Sequence, residues 1–104
     1  MDDIIAFIDK AIEKNIDIRV DTYCLGLCDE ISVCINPCSE YSIRFEADFK
    51  DNRFKLFYSP YGQIQLEVSE LDLAEFKAKA LKTKKYSEYR IEENFKNYFD
   101  NLCN

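Results

Sequence analysis

The chain has 104 residues, 47% of them hydrophobic and 14% aromatic, with only two glycines and two prolines; such a composition builds one packed core and excludes a disordered, collagen-like or linker-like chain. Twenty Asp and Glu against fourteen Lys and Arg give a net charge of −6, and histidine is absent, which removes Ser-His and Cys-His nucleophile pairs, histidine general bases and histidine metal ligands. No apolar run approaches the roughly 18 to 20 residues of a membrane span, and the acidic start Met1-Asp2-Asp3 is unlike a basic secretory leader, so a soluble, intracellular single domain over residues 1 to 104 is expected.

Residues 2 to 14 place Ile4, Ile5, Ile8, Ala11 and Ile12 on one helical stripe, with Asp2 or Asp3 as the expected N-cap and Asn15 as a left-handed terminator. From Ile16 the period becomes two. Ile16, Ile18, Val20, Thr22 and Cys24 share one face of a strand, and Asp17, Arg19, Asp21 and Tyr23 take the other. A second strand is expected over about 30 to 36, with Ile31, Val33 and Ile35 inward. A third, over 40 to 49, has Tyr41, Ile43, Phe45, Ala47 and Phe49 inward. Asp51-Asn52 reads as a hairpin turn, Phe54, Leu56 and Tyr58 as strand four, Ser59-Pro60-Tyr61-Gly62 as a second turn, and Ile64, Leu66 and Val68 as strand five.

Ser69-Glu70-Leu71-Asp72 has the form of a capping box with Asp in the reciprocal position. It opens a helix expected to bury Leu73, Phe76, Ala80 and Leu81. After a basic stretch, a last helix over about 86 to 102 aligns Ile91, Phe95, Tyr98, Phe99 and Leu102. The expected fold is therefore α+β: an N-terminal helix, a five-stranded antiparallel meander, and two C-terminal helices packed on one sheet face. The opposite face, with Asp17, Asp21, Glu46, Asp48 and Glu67 set among Arg19, Arg44 and Lys55, is left for solvent or a partner.

Charge is segregated along the chain. Residues 1 to 51 hold twelve acids and five bases, whereas residues 77 to 85 carry Lys77, Lys79, Lys82, Lys84 and Lys85 with no acid. These lysines suit the negative end of a helix dipole. A phosphate-binding patch is the alternative, and the acidic remainder disfavours direct binding of nucleic acid.

Cys24, Cys28, Cys34 and Cys38 form C-x3-C-x5-C-x3-C, and Cys103 makes five. A four-thiolate zinc site is the sharp reading of that spacing. A hairpin over 16 to 36 would put the two connections at opposite ends of a strand, roughly 20 Å apart at about 3.3 Å per residue. No metal and no cofactor are therefore expected, and the odd cysteine count fits reduced thiols. With no Gly-rich phosphate loop, no G-x-S-x-G and no EF-hand pattern, no enzyme activity is expected either. In the last helix Glu88, Glu92 and Lys96 form one ridge, with Glu93 beside it.

The order of elements, with Asp3-Ile4-Ile5 ahead of Ile16-Asp17-Ile18-Arg19-Val20, Ser69-Glu70-Leu71-Asp72-Leu73-Ala74-Glu75-Phe76, and Glu92-Glu93-Asn94-Phe95 within Tyr89 to Phe99, resembles the small acidic phage-encoded anti-CRISPR proteins that inhibit type II CRISPR nucleases. That resemblance implies a non-enzymatic DNA mimic in the cytoplasm of a bacterial host cell, whose carboxylates occupy the PAM-reading cleft of a Cas nuclease. The matching positions are Glu67, Glu70, Asp72, Glu92 and Glu93; Glu88 joins them from the ridge of the last helix. The expected partner is a basic nucleic-acid-binding protein, with no membrane contact. An immunity protein neutralising a nuclease toxin needs the same acidic surface, and a cysteine-dependent zinc-binding regulator is the third reading.

Overall fold

The computed structural model describes residues 1–24, 29–37, 39–59 and 62–103. Cys28 and Cys38, and Pro60-Tyr61 of the expected second turn, lie outside the described residues, as do the side chains of Cys24 and Cys103. The elements are α1 (Asp2–Glu13), β1 (Ile18–Cys24), β2 (Asp29–Ile35), β3 (Ile43–Asp48), β4 (Arg53–Tyr58), β5 (Gly62–Leu66) and α2 (Glu70–Cys103). The strands pair in chain order β1-β2-β3-β4-β5, antiparallel throughout, which is the expected meander and an α+β fold.

The alternation of side chains sets the register. Val20, Val33, Phe45, Leu56 and Ile64 lie opposite one another across all five strands, as do Thr22, Ile31, Ala47, Phe54 and Leu66. These rows face the helices and hold the core, in which Val33, Ala47 and Phe54 are fully buried. Rows such as Arg19, Cys34, Arg44, Phe57 and Gln63 face away. Asn52 takes the left-handed conformation in the β3–β4 turn (φ 52°), and Asp48 Oδ1 accepts from the amides of Lys50 at 3.0 Å and Asp51 at 3.2 Å. That side chain closes the hairpin.

α1 buries Ile8 and Ala11 against the sheet. Its N-cap is Met1, with no side-chain cap bond, so the expected Asp2 or Asp3 cap is corrected. Both acids sit inside the first turn, where they meet the positive end of the helix dipole. At the other end the Ile16 amide donates to the Ala11 carbonyl (3.0 Å) and the Asn15 amide to that of Ile12 (3.1 Å). With Asn15 left-handed at φ 58°, these two bonds form a Schellman motif.

The C-terminal region differs from expectation: α2 is one helix of 34 residues, not two. Residues 82 to 87, Lys-Thr-Lys-Lys-Tyr-Ser, contain no Gly or Pro to end a helix, and the lysines are good helix formers. Leu73, Phe76 and Ala80 are buried as expected, but Leu81 is exposed and Thr83 takes the inward place. Its hydroxyl donates to the Lys79 carbonyl at 2.8 Å, so this buried donor is paired.

α2 runs across the strands. Phe76 meets Phe54 of β4 edge-to-face at 4.9 Å between centroids, and Ser87 donates to the Ile18 carbonyl of β1 at 2.9 Å. Those eleven residues rise about 16 Å, close to the roughly 14 Å spanned by three inter-strand spacings. By Arg90 the helix has used up the sheet. Residues 91 to 103 continue for about 20 Å past the β1 edge, and the molecule reaches 52 Å along its long axis. Its radius of gyration is 15.2 Å, where a compact chain of this length has about 13 Å.

Candidate interaction surfaces

The C-terminal part of α2, residues 91 to 103 of its 34-residue helix, is the most distinctive surface. Ile91, Phe95, Tyr98, Phe99 and Leu102, expected to pack on the sheet, are instead 49 to 65% exposed. Phe95 and Phe99 touch edge-to-face at 4.9 Å, and Ile91 borders a hollow beside β1. Ile91 and Tyr98 continue the side of α2 that carries Leu73 and Ala80 further back, and Phe95, Phe99 and Leu102 lie beside them.

The base of this arm is fixed. Arg90 donates to the carbonyls of Asn15 (3.0 Å) and Ile16 (3.5 Å) and lies 3.9 Å from Asp17 Oδ1. Lys84 Nζ donates to Thr22 Oγ1 at 3.2 Å. Between this junction and β1 lies a hollow of about 380 Å³ whose lining includes Ile18, Val20, Tyr86, Ser87 and Ile91. The sequence reading did not single out Arg90. The signal available was the uninterrupted run from Glu70 to Cys103, longer than an ordinary globular helix.

The predicted contact carboxylates do not form one site. Glu67 and Glu70 are exposed at the start of α2, and Asp72 there is engaged in its own helix cap. The Ser69 amide donates to Asp72 Oδ2 at 3.0 Å and the Asp72 amide to Ser69 Oγ at 3.1 Å, the expected capping box. The backbone and hydroxyl bonds from Ser69 hold the Asp72 carboxyl below its ordinary value. Glu92 and Glu93 lie on the arm and Glu88 at its base, about 27 Å or more along the helix from Glu70. Glu92 flanks the apolar stripe, while Glu93 and Asp100, a heptad apart, lie on the opposite side. Tyr89 Oη donates to Glu93 Oε1 at 3.1 Å, and the accepting, charged carboxylate raises the phenol above its usual range.

The outer sheet face balances its charges. Arg19 pairs with Asp21 at 3.1 Å and Arg44 approaches Glu46 at 3.7 Å, while the Arg44 guanidinium also covers the Phe57 ring at 4.3 Å. Small Ser32 and half-buried Cys34 on β2 leave a trough of about 500 Å³ between those long side chains. The lysine cluster is dispersed around α2. Lys79 pairs with Asp9 of α1, Lys77 lies over Phe49 at 5.4 Å and Lys84 reaches β1. Three of the five lysines therefore tie the helix to its own fold.

Among the described residues no group of three or more His, Cys, Asp or Glu side chains could hold a metal ion, and Cys28, Cys38 and the Cys24 side chain of the four-cysteine pattern fall outside them. No helix of the described residues is long and apolar enough to cross a membrane. Comparison with protein-family models, with curated proteins and with solved structures finds no match to this chain.

Proposed function

We propose that the protein is a non-catalytic inhibitor that binds a basic, nucleic-acid-binding protein through the acidic side of the α2 arm and occupies the surface that nucleic acid would take. A type II CRISPR nuclease, met at its PAM-reading cleft, is the target class. The observation that carries this reading is the arm itself: Glu93 and Asp100 share its side away from the apolar stripe and Glu92 flanks that stripe, on a helix that runs on past its own sheet. A rod about 10 Å across can enter a groove that the globular body cannot, and carboxylates meet Arg and Lys already arranged for phosphates. The outer sheet face is a weaker candidate, since its acids are matched by neighbouring bases.

Glu67, Glu70 and Asp72 lie too far along the helix to join that contact. The narrowed contact set is therefore Glu93 and Asp100, which share the side of the arm away from the apolar stripe. The test mixes the protein with a nuclease–guide complex and follows DNA binding across a salt series. Inhibition should weaken as ionic strength rises and fall at least tenfold on Glu93→Lys combined with Asp100→Lys. Glu70→Lys should leave it unchanged. Undisturbed DNA binding at excess protein removes this target, and inhibition indifferent to both salt and the arm substitutions removes mimicry as the mechanism.

A further inference from the structure

We infer that the α2 arm is a self-association element: a second copy of this chain lays its own arm antiparallel along the apolar stripe, with its tip seated in the hollow beside β1. The first support is surface area. The chain exposes 7596 Å², whereas a compact monomer of 12.3 kDa exposes about 6,100 Å². The five stripe side chains, 49 to 65% exposed, offer roughly 600 Å² per copy when aromatic residues bury about 150–250 Å² each. A specific interface takes about 800 Å² per partner, so the stripe supplies most of one and the hollow at its base the rest.

Register and charge select the antiparallel arrangement. Placing the two-fold axis at Phe95 sets Ile91 against Phe99 of the second copy. Leu102 of that copy then falls beside Glu88, at the mouth of the hollow lined by Ile18, Val20 and Tyr86. The same arrangement brings Glu92 next to Lys96 of the second copy, and Lys96 next to its Glu92, because both lie on one flank of the stripe. Among the described residues neither forms an ion pair within the chain. A parallel pairing would set Glu92 against the other flank, which carries Asn94, Asn97 and Asn101 and, at its base, Arg90, whose guanidinium is already bonded to the Asn15 and Ile16 carbonyls. Glu93 and Asp100 remain outward in the antiparallel pair, so this association is independent of the partner proposed for the acidic side.

Sedimentation equilibrium of the full chain tests the inference. The intact protein should show the mass of two copies at micromolar concentration, and Phe95→Asp, at an exposed position, should raise the dissociation constant at least a hundredfold. Glu92→Lys and Lys96→Glu should each weaken self-association several-fold, while an equimolar mixture of those two variants should assemble as a mixed pair more tightly than either alone. A chain that stays monomeric to 100 μM, or a dimer indifferent to Phe95→Asp, overturns the proposal. A mixture showing no preference for the mixed pair overturns the antiparallel register.

Discussion

The Arg90 guanidinium donates to the carbonyl of Asn15 at 3.0 Å, so among the described residues the last hydrogen bonds from α2 to the body meet the left-handed turn that ends α1. In the Schellman motif the amides of Asn15 and Ile16 bond back to α1, and their carbonyls accept from Arg90. Arg90 takes both carbonyls and lies near Asp17, which fixes the direction in which the arm leaves. Hydrogen bonds from a charged donor contribute about 1.5–3 kcal/mol where water is excluded and less where, as here, the side chain is partly exposed. Arg90→Ala should therefore cost about 1 kcal/mol in overall stability. It should also accelerate amide exchange selectively across residues 86 to 94. Exchange unchanged there would mean that Ser87 and Lys84 alone hold the junction.

The N-terminus of α2 is set by the reciprocal bonds of Ser69 and Asp72. Ser69→Ala removes the hydroxyl acceptor of the Asp72 amide and should cost about 1 kcal/mol, read from urea denaturation. The carboxyl of Asp72 is held below its ordinary value of 3.8 by the two bonds from Ser69, so the charged form is favoured by folding. Its contribution is present above pH 3.8 and is lost as pH falls through the lowered value. Asp72→Asn should flatten that acid limb of the stability curve without altering the plateau's pH dependence above pH 5. An identical acid limb in the variant would assign it to other carboxylates.

Gly62 opens β5 opposite Tyr58, and the Tyr58 ring lies across its backbone: a Cβ at Gly62 would sit 1.7 Å from the ring's Cζ. Any side chain must drive the ring outward from the sheet. Gly62→Ala should destabilise the chain by about 1 kcal/mol, and Tyr58→Ala should largely cancel the effect of a subsequent Gly62→Ala. Additive losses in that double-mutant cycle would show that the two positions act separately.

Sequence patterns are strongest where one face of an element is dry. Each strand's alternation placed Val33, Phe45, Ala47 and Phe54 inward, and Asn15 and Ser69-Asp72 marked their helix ends, because local chemistry alone decides such features. Tyr41 was misplaced because it precedes β3, where alternation no longer measures burial. The arm was illegible for a different reason. An apolar stripe states that a helix wants a partner, but whether its own sheet extends far enough to be that partner depends on strand count and crossing direction. The separation of Glu70 and Asp72 from Glu92 and Glu93 follows from the same length of helix. A break near Lys85 would have folded the two groups together, and no residue there supplies one.

Two phenylalanines on α2 make the point measurable. Phe76 is fully buried against Phe54, whereas Phe95 is 62% exposed on the arm. Phe76→Ala should cost about 3–5 kcal/mol through lost burial and the cavity left behind. Phe95→Ala, measured in dilute solution where copies are apart, should stay within about 0.5 kcal/mol of the parent. At high concentration association stabilises the folded parent by mass action, so the Phe95→Ala deficit should grow with protein concentration while the Phe76→Ala deficit does not. Comparable losses from both substitutions in dilute solution would place Phe95 on the sheet and show that α2 bends back on itself.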